Sequence, residues 1–233
     1  MTAIDLYEAM ATTRAVRRLR SDPIPDAVLR RVLEAATWAP SGGNRQPWRM
    51  LVVRDAALKR GLRDLYQGPW GPYSSRQRAQ LERLPADSRA RGLRALAAAD
   101  HLADHLHEAP AIVVLCFQPE LLMITDSNQA RPSVVGGASL YPAVQNLLLA
   151  CRAEGLGAVL TTLLCAAEDK VRPLLGIPEP WATAAYVPIG YPSGRGHGPL
   201  SRKPVETMTF ADRWGEPLFD AGSAGVSPAA GKR

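Results

Sequence analysis

Four residues in one short loop of this 233-residue chain could bind a polar ligand: Ser41, Gly42, Asn44 and Gln46. The loop, residues 39–48, reads Ala-Pro-Ser-Gly-Gly-Asn-Arg-Gln-Pro-Trp. Its hydroxyl and amide groups can donate and accept hydrogen bonds, and glycine lets the backbone approach a ligand closely. Such a density of donors suits a polar ring or a phosphate. The alternative is a plain connection, because the same residue types dominate turns.

Two basic stretches lie on either side of this loop in the sequence. The first, Arg14-Ala-Val-Arg17-Arg18, ends a helical pattern, and the second, Leu200-Ser-Arg202-Lys203-Pro204, lies far downstream. Guanidinium groups bind phosphate through paired, charge-assisted hydrogen bonds, so either stretch could hold an anionic ligand. For the first stretch, a solvated helix end is the alternative, since cations complement the helix dipole there.

Together, in this order and spacing, the three stretches resemble the nitroreductase family of FMN-dependent flavoproteins. The resemblance covers about residues 3 to 210, and the runs Pro188-Ile-Gly-Tyr-Pro192 and Arg202-Lys203-Pro204 are similar to the branch that contains iodotyrosine deiodinase. It implies an α+β (α/β) fold in which a mixed sheet of four or five strands is wrapped by helices. It also implies a domain-swapped homodimer with two FMN sites at the subunit interface.

The resemblance further implies which residues contact FMN. Arg14 and Arg17 match contacts to the phosphate and the pyrimidine edge, and Arg202 matches a late phosphate contact. Ser41 and Gly42 would line the flavin, usually from the other subunit. The full implied set is Arg14, Ala15, Arg17, Ser41, Gly42, Asn44, Gln46, Pro142, Ala143, Leu160, Thr161, Thr162 and Arg202.

One part of this set has a second interpretation, and the sequence departs from the family pattern at two positions near Arg14. Leu160-Thr161-Thr162 would lie against flavin N5, but β-branched residues are also ordinary in strands. Thr13 and Ala15 stand where the family commonly has arginine and serine, so two phosphate donors are replaced.

The implied function is that of an FMN-dependent NAD(P)H oxidoreductase. NAD(P)H would deliver a hydride, and a small electron-poor aromatic substrate, a nitroaromatic or a quinone, would then be reduced in ping-pong order. No catalytic side chain is needed, because the flavin carries the chemistry. Two alternatives stay open: a specialised flavin reaction, such as reductive dehalogenation or flavin-consuming ring cleavage, and flavin binding without turnover.

A turn-rich segment at about residues 67–91 is predicted to form a mobile lid, with a plain surface excursion as the alternative. Iodotyrosine deiodinases close a lid whose Glu, Tyr and Lys clamp the zwitterion of the amino acid. Here the segment contains five arginines and no lysine. We therefore expect halogenated tyrosines to be poor substrates.

Composition and missing motifs argue against other classes of protein. The net charge of +6 is spread over the chain without an aromatic-interleaved basic stripe, so no nucleic-acid partner is expected. No Gly-x-Gly-x-x-Gly or Gly-x-Ser-x-Gly motif is present, and His101 and His105 lack the partners of a typical metal site. The first residues and the lack of a long apolar run predict neither signal peptide nor membrane span. The three scattered cysteines are typical of buried thiols in a reducing compartment, so we expect a cytoplasmic protein.

Length and composition predict a single domain, residues 1–221, and the small and polar residues 222–233 predict a disordered tail. The predicted helices cover about residues 4–11, 28–36, 55–66, 88–108, 133–155 and 168–175. The predicted strands cover residues 50–53, 111–117, 158–162 and 182–189, and the chain is extended beyond residue 189.

Overall fold

The computed structural model describes residues 4–219, so the predicted tail at 222–233 lies outside the described residues. Within these described residues, four strands form one sheet in the order β1-β2-β4-β3, and every neighbouring pair is antiparallel. The predicted mixed sheet is therefore wrong for these strands. Among residues 4–219, a parallel pairing occurs only as the isolated bridge between Ala15 and Ala158. The strands are β1 (Trp48–Val53), β2 (Ala111–Phe117), β3 (Gly157–Ala158) and β4 (Ala182–Gly190).

Within residues 4–219 there are six α-helices. They are α1 (Leu6–Thr12), α2 (Asp26–Thr37), α3 (Ala56–Glu82), α4 (Ala86–His105), α5 (Tyr141–Ala153) and α6 (Glu168–Leu175). Five of them cover the two faces of this sheet, and α1 packs against α5. Strand β2 explains why both faces need cover, because its apolar run alternates between two cores. Val113 packs with α2 and α5, whereas Ile112 packs with α3, α4 and α6. The α+β class is confirmed. None of the helices within residues 4–219 is both long and apolar enough to cross a membrane.

The second half of α3 differs from the sequence prediction, because residues 67–82 are helical rather than irregular. Pro69 and Pro72 remove backbone donors from the helix interior, which normally costs about 3 kcal/mol each. Packing overrides this cost. Tyr66, Trp70 and Ser74, spaced four residues apart, are all buried, so this face of the helix contributes to the core. Whether the segment also closes over a ligand as a lid stays a prediction.

A shared carboxylate joins α3 to α4. Asp100 Oδ1 accepts hydrogen bonds from Trp70 Nε1 at 3.2 Å and from Ser74 Oγ at 3.0 Å, and Asp100 also pairs with Arg78. Where the two helices meet, a Cβ on Gly92 would lie 2.1 Å from Leu81 Cδ2. A larger residue at position 92 would therefore displace the Leu81 side chain.

Two other elements are shorter than predicted. The helix expected from Ser133 begins only at Tyr141, because residues 135–139, which include two glycines, form a 3₁₀ turn. Pro142 then lies in the first turn of α5, where its missing N–H costs nothing. The strand expected over 158–162 is reduced to β3 plus an isolated bridge from Thr161 to Tyr186.

The remaining elements agree with the sequence. Strand β2 and helix α6 have the predicted bounds, and α6 ends at Gly176 in the left-handed conformation, with φ of 65°. Cys116 and Cys151 are buried free thiols, and burial raises the pKa of Cys116 to about 11 and that of Cys151 to about 12. These two thiols are thus protonated core residues, as their apolar surroundings in the sequence indicate.

Candidate cofactor site

A large cleft, here called the arginine cleft, opens beside the C-terminal end of α1. Its volume is about 1070 Å³, which is at the upper end of the size of small-molecule sites. Its walls come from four places: α1 with the segment after it, α5, residues 158–160 after β3, and the chain after β4. The residues used below are Arg14, Ala15, Arg17, Gln145, Leu148, Leu160 and Arg202.

The segment that carries Arg14 and Arg17 is fixed through its backbone. Val16 N donates to Ala158 O at 2.9 Å, next to the bridge between Ala15 and Ala158. Val16 is buried, and a Cβ on Gly157 would lie 2.6 Å from its Cγ1, so only glycine permits this approach. Because the backbone of Val16 is anchored, the neighbouring residues Ala15 and Arg17 are held in the lining of the cleft.

Residues 197–202, here called the strap, close the opposite side of the cleft. Gly198 N donates to Thr12 O at 3.0 Å, and Leu200 N donates to Ala11 O at 3.1 Å. These carbonyls belong to the last turn of α1, where no intrahelical donor remains for them. Arg14 strengthens the contact through Nε, which donates to Pro199 O at 3.2 Å. The strap thus brings Arg202 to the same cleft as Arg14.

The charge in the cleft favours an anion. Among residues 4–219, no salt bridge joins Arg14, Arg17 or Arg202 to a carboxylate. The two acidic side chains of the cleft have other contacts. Asp5 caps α1 by accepting from Tyr7 N at 2.9 Å, and Glu8 lies 3.7 Å from Arg152.

A second cavity, here called the aromatic pocket, adjoins the cleft through Arg17, Val159 and Leu160, which line both. Its volume is about 430 Å³, and it lies against α3 and α4. Tyr66 and Trp70 are stacked with 6.0 Å between ring centroids, and Trp70 and Tyr73 follow at 5.5 Å. Arg17 is the one charged residue among the described residues that line this pocket.

A hydrogen bond links the aromatic pocket to the edge of the cleft. The hydroxyl groups of Tyr66 and Thr161 are 3.1 Å apart, and Thr161 Oγ1 also accepts from Leu163 N at 3.3 Å. Burial raises the pKa of Tyr66, so its phenol stays protonated and is available as a donor at neutral pH. The Thr161 hydroxyl is thereby held in a fixed direction.

Seven of the thirteen residues implied for FMN lie in these two cavities. Arg14, Ala15, Arg17, Leu160 and Arg202 line the arginine cleft, while Thr161 and Thr162 line the aromatic pocket with Leu160 and Arg17. Residues that are far apart in the sequence therefore meet in one region of the fold.

The other six implied residues lie elsewhere in the chain. Ser41, Gly42, Asn44 and Gln46 line neither cavity, and neither do Pro142 and Ala143. Ala143 is buried in the core, and α5 reaches the cleft one turn later through Gln145 and Leu148. The interpretation that the Ser41 loop reaches a flavin of the other subunit remains a prediction.

The Ser41 loop has an unusual backbone. Gln46 N donates to Ser41 Oγ at 2.9 Å, and Gly42 N donates to Ser139 Oγ at 3.0 Å. Asn44 and Gln46 have positive φ angles of 53° and 47°. Non-glycine residues in this region carry strain, which clusters at functional sites. The loop is thus held in a defined shape, and it lines neither the arginine cleft nor the aromatic pocket of its own chain.

Sequence reasoning missed Gln145, Leu148 and Tyr66, and it placed Trp70 and Tyr73 only in the predicted lid. Tyr66, Trp70 and Tyr73 recur at the spacing of one helix face, a signal hidden by the prolines between them. The His101 and His105 rings stack at 4.2 Å, as expected for a shared helix face, and within residues 4–219 no group of three or more His, Cys, Asp or Glu could hold a metal ion.

The structure is an α+β protein with a cleft lined by three arginines. The chain belongs to the nitroreductase family, whose model matches residues 10–191. A protein named NADH dehydrogenase from Thermus thermophilus is 34% identical over 220 residues, which are 90% of this chain and 97% of that protein.

Iodotyrosine deiodinase is a second relative. The Drosophila melanogaster protein is 32% identical over 189 residues, covering 80% of this chain and 62% of that protein. A crystal structure of oxidized iodotyrosine deiodinase bound to FMN and 3-iodo-L-tyrosine superposes with a TM-score of 0.58 at 25% identity, covering 86% of this chain and 94% of that one. The predicted family, and its likeness to the deiodinases, are confirmed.

Proposed function

We propose that this chain is an FMN-dependent oxidoreductase that uses NAD(P)H to reduce flat, electron-poor aromatic acceptors. The observation that carries the proposal is that two unlike cavities adjoin: a cleft with three arginines and a pocket walled by aromatic rings share Arg17, Val159 and Leu160 as lining residues. A ligand with an anionic end and a planar end fits such a pair.

The donor set of the cleft fits FMN. Arg202 and Arg14 would hold the phosphate, and Arg17 would place a cation near the ring edge that carries negative charge after reduction. When bound, FMN supplies hydride transfer between NAD(P)H and the acceptor. The relative from Thermus thermophilus, named an NADH dehydrogenase, supports a nicotinamide as the reductant.

The chain's own groups would orient the reactants. The Thr161 hydroxyl, fixed by Tyr66, would be directed at the reacting edge of the ring system, and Trp70 and Tyr73 would exclude water and stack on a planar acceptor. In a homodimer, the strained Ser41 loop would complete the site of the partner. This arrangement explains why the loop is built for contact yet lies away from the cleft of its own chain.

Reductive deiodination is the second candidate, because two of the relatives are iodotyrosine deiodinases. The lining of the aromatic pocket argues against it. An amino acid zwitterion carries an ammonium group, and the one charged side chain among the described lining residues is Arg17. The ammonium group would be repelled by Arg17 and would find no carboxylate among the described lining residues. An electron-rich acceptor oxygen would instead be attracted by Arg17.

Steady-state kinetics test the proposal. The purified holoprotein is assayed with NADH and with NADPH against a panel of nitroaromatics and quinones, and against 3-iodotyrosine under the same conditions. We expect kcat/KM for the best nitroaromatic or quinone to exceed that for 3-iodotyrosine. A higher kcat/KM for 3-iodotyrosine would select the second candidate, and bound FMN without turnover of any acceptor would leave a binding protein.

A further inference from the structure

His197, the first residue of the strap, contacts two of the chain segments that frame the arginine cleft. Its Nε2 lies 2.8 Å from Leu156 O, and its Nδ1 lies 3.3 Å from the backbone nitrogen of Arg14. A carbonyl oxygen only accepts and a backbone N–H only donates. The two contacts are therefore both satisfied by one form of the ring, the neutral imidazole with its hydrogen on Nε2.

The two partners of His197 lie on chain segments that frame the cleft. Arg14 begins the segment that ends at Arg17, and Leu156 precedes β3, whose Ala158 accepts from Val16. The imidazole joins these segments to the strap, which itself carries Pro199 O, the acceptor of the Arg14 guanidinium. The imidazole is not part of the cleft lining. The imidazole therefore positions residues that line the cleft, although it does not line the cleft itself.

We propose that His197 is a positioning residue, which holds Arg14 and the strap in the arrangement that binds the anionic end of the ligand only while its imidazole is neutral. Protonation puts a hydrogen on Nδ1, directed at the Arg14 N–H, so that two donors face each other and this contact is lost. The proposal rests on the FMN site proposed above.

Two arginines and one glutamate lie around His197 and its partners. The Arg14 guanidinium packs on Gly198, where an added Cβ would lie 3.6 Å from Arg14 Cζ. Arg152 of α5 also acts on the imidazole, and it lies 3.7 Å from Glu8 of α1. Burial, first, and the charge of Arg152 lower the pKa of His197, while the bond to Leu156 O opposes them.

The direction of the pH effect follows from this lowered pKa. Between the folded pKa and the unfolded value of about 6.5, the folded state binds fewer protons than the unfolded state. The contribution of His197 is thus complete above about pH 6.5, and it is lost as the pH falls through the folded pKa. Ligand affinity that depends on neutral His197 weakens on acidification in the same window.

The test compares the holoprotein with a His197→Asn variant. The asparagine Oδ1 can accept from Arg14 N as Nδ1 does, but it does not titrate. The Kd for FMN is measured between about pH 5 and pH 8 from the recovery of flavin fluorescence on dilution. The phosphate of FMN titrates with a pKa near 6, and this effect is common to both proteins, so the ratio of the two Kd values isolates His197.

At pH 8, we expect the Kd values of the two proteins for FMN to differ by less than about threefold. At pH 5, we expect the FMN affinity of the wild type to fall by about fivefold relative to that of the variant, as the loss of one hydrogen bond predicts. Parallel pH profiles would overturn the proposal and leave the FMN site standing. A wild type that tightens on acidification would also overturn it, since imidazolium would then bind phosphate directly. FMN binding by neither protein at any pH would overturn the proposed function together with the inference.

A second measurement applies if the variant does not fold. The imidazole of His197 is titrated by NMR in the wild-type protein with and without FMN, with the three other histidines as internal references. We expect FMN to lower the pKa of His197 further, because binding and neutrality favour each other. An unchanged or raised pKa on FMN binding would contradict the proposal.

Discussion

The arginine cleft and the aromatic pocket share a wall but are held in shape by different forces. Around the cleft, the contacts are backbone hydrogen bonds from the strap to α1 and from Val16 to Ala158, and the Arg14 and Arg202 side chains are exposed. Around the pocket, the contacts are packed rings and a carboxylate that joins α3 to α4. The cleft is thus formed by polar bonds between segments of the surface, and the pocket by part of the core.

This difference predicts which property each region controls. Buried packing contributes most to the free energy of unfolding, because removing it leaves a cavity. Exposed cations contribute little to folding, but they contribute strongly to affinity once a ligand desolvates them. Substitutions in the pocket should therefore change stability first, and substitutions in the cleft should change ligand affinity first.

The largest effect is expected for Trp70→Ala. The Trp70 side chain is 8% exposed and bonded to Asp100, so its removal leaves a cavity and a carboxylate with one donor fewer. We expect a loss of about 3–5 kcal/mol in the free energy of unfolding. Urea titration followed by circular dichroism measures this loss.

Tyr73→Ala is the matched control for that change, because Tyr73 stacks on the same ring but is 40% exposed. Its cost should stay within about 1 kcal/mol. Equal losses for both variants would mean that the pocket is not an extension of the core.

The next effect concerns the cleft. Arg202→Glu replaces the proposed phosphate donor by a negative charge like that of the phosphate. We expect FMN affinity to fall by about 3 kcal/mol, roughly a hundredfold, with an unchanged urea midpoint. Riboflavin, which has no phosphate, should bind both proteins about equally.

Arg195→Glu is the control variant, because it changes the net charge equally at an exposed position outside the cleft lining. It should leave the Kd for FMN within about twofold of wild type. An FMN affinity that Arg202→Glu does not change would place the phosphate elsewhere.

The smallest effect is expected for Tyr66→Phe. This change keeps the ring that stacks on Trp70 and removes only the hydroxyl bonded to Thr161. We expect kcat with a quinone acceptor to fall by about fivefold, equivalent to about 1 kcal/mol, with the Kd for FMN unchanged. Tyr73→Phe serves as its control, and stopped-flow absorbance separates the two half-reactions. A weaker Kd for FMN in place of the lower kcat would assign Tyr66 to cofactor binding.

Much of the fold could be predicted because local pattern and tertiary environment agree. Strand β2 is a continuous apolar run between prolines, and both of its faces are buried. Helix α6 ends at a glycine that adopts the left-handed conformation. The second half of α3 could not be predicted, since Pro69 and Pro72 indicate an irregular segment and only packing against α4 makes the helix stable.

The site could be predicted only where sequence motifs coincide with cavity walls. Arg14, Arg17 and Arg202 meet in one cleft as the resemblance implies. His197 could not be identified in the same way, because one histidine in a Gly/Pro-rich stretch has no pattern, and its two partners are 183 and 41 residues away. Its role depends on which backbone atoms the fold brings to either side of the ring.

Cofactor content tests the central claim most directly. The protein is purified without added flavin, its visible spectrum and released flavin are measured, and its mass in solution is determined in the same sample. We predict a yellow homodimer with one non-covalent FMN per chain. A colourless protein that takes up no FMN when the flavin is added would contradict the claim that the arginine cleft is a flavin site.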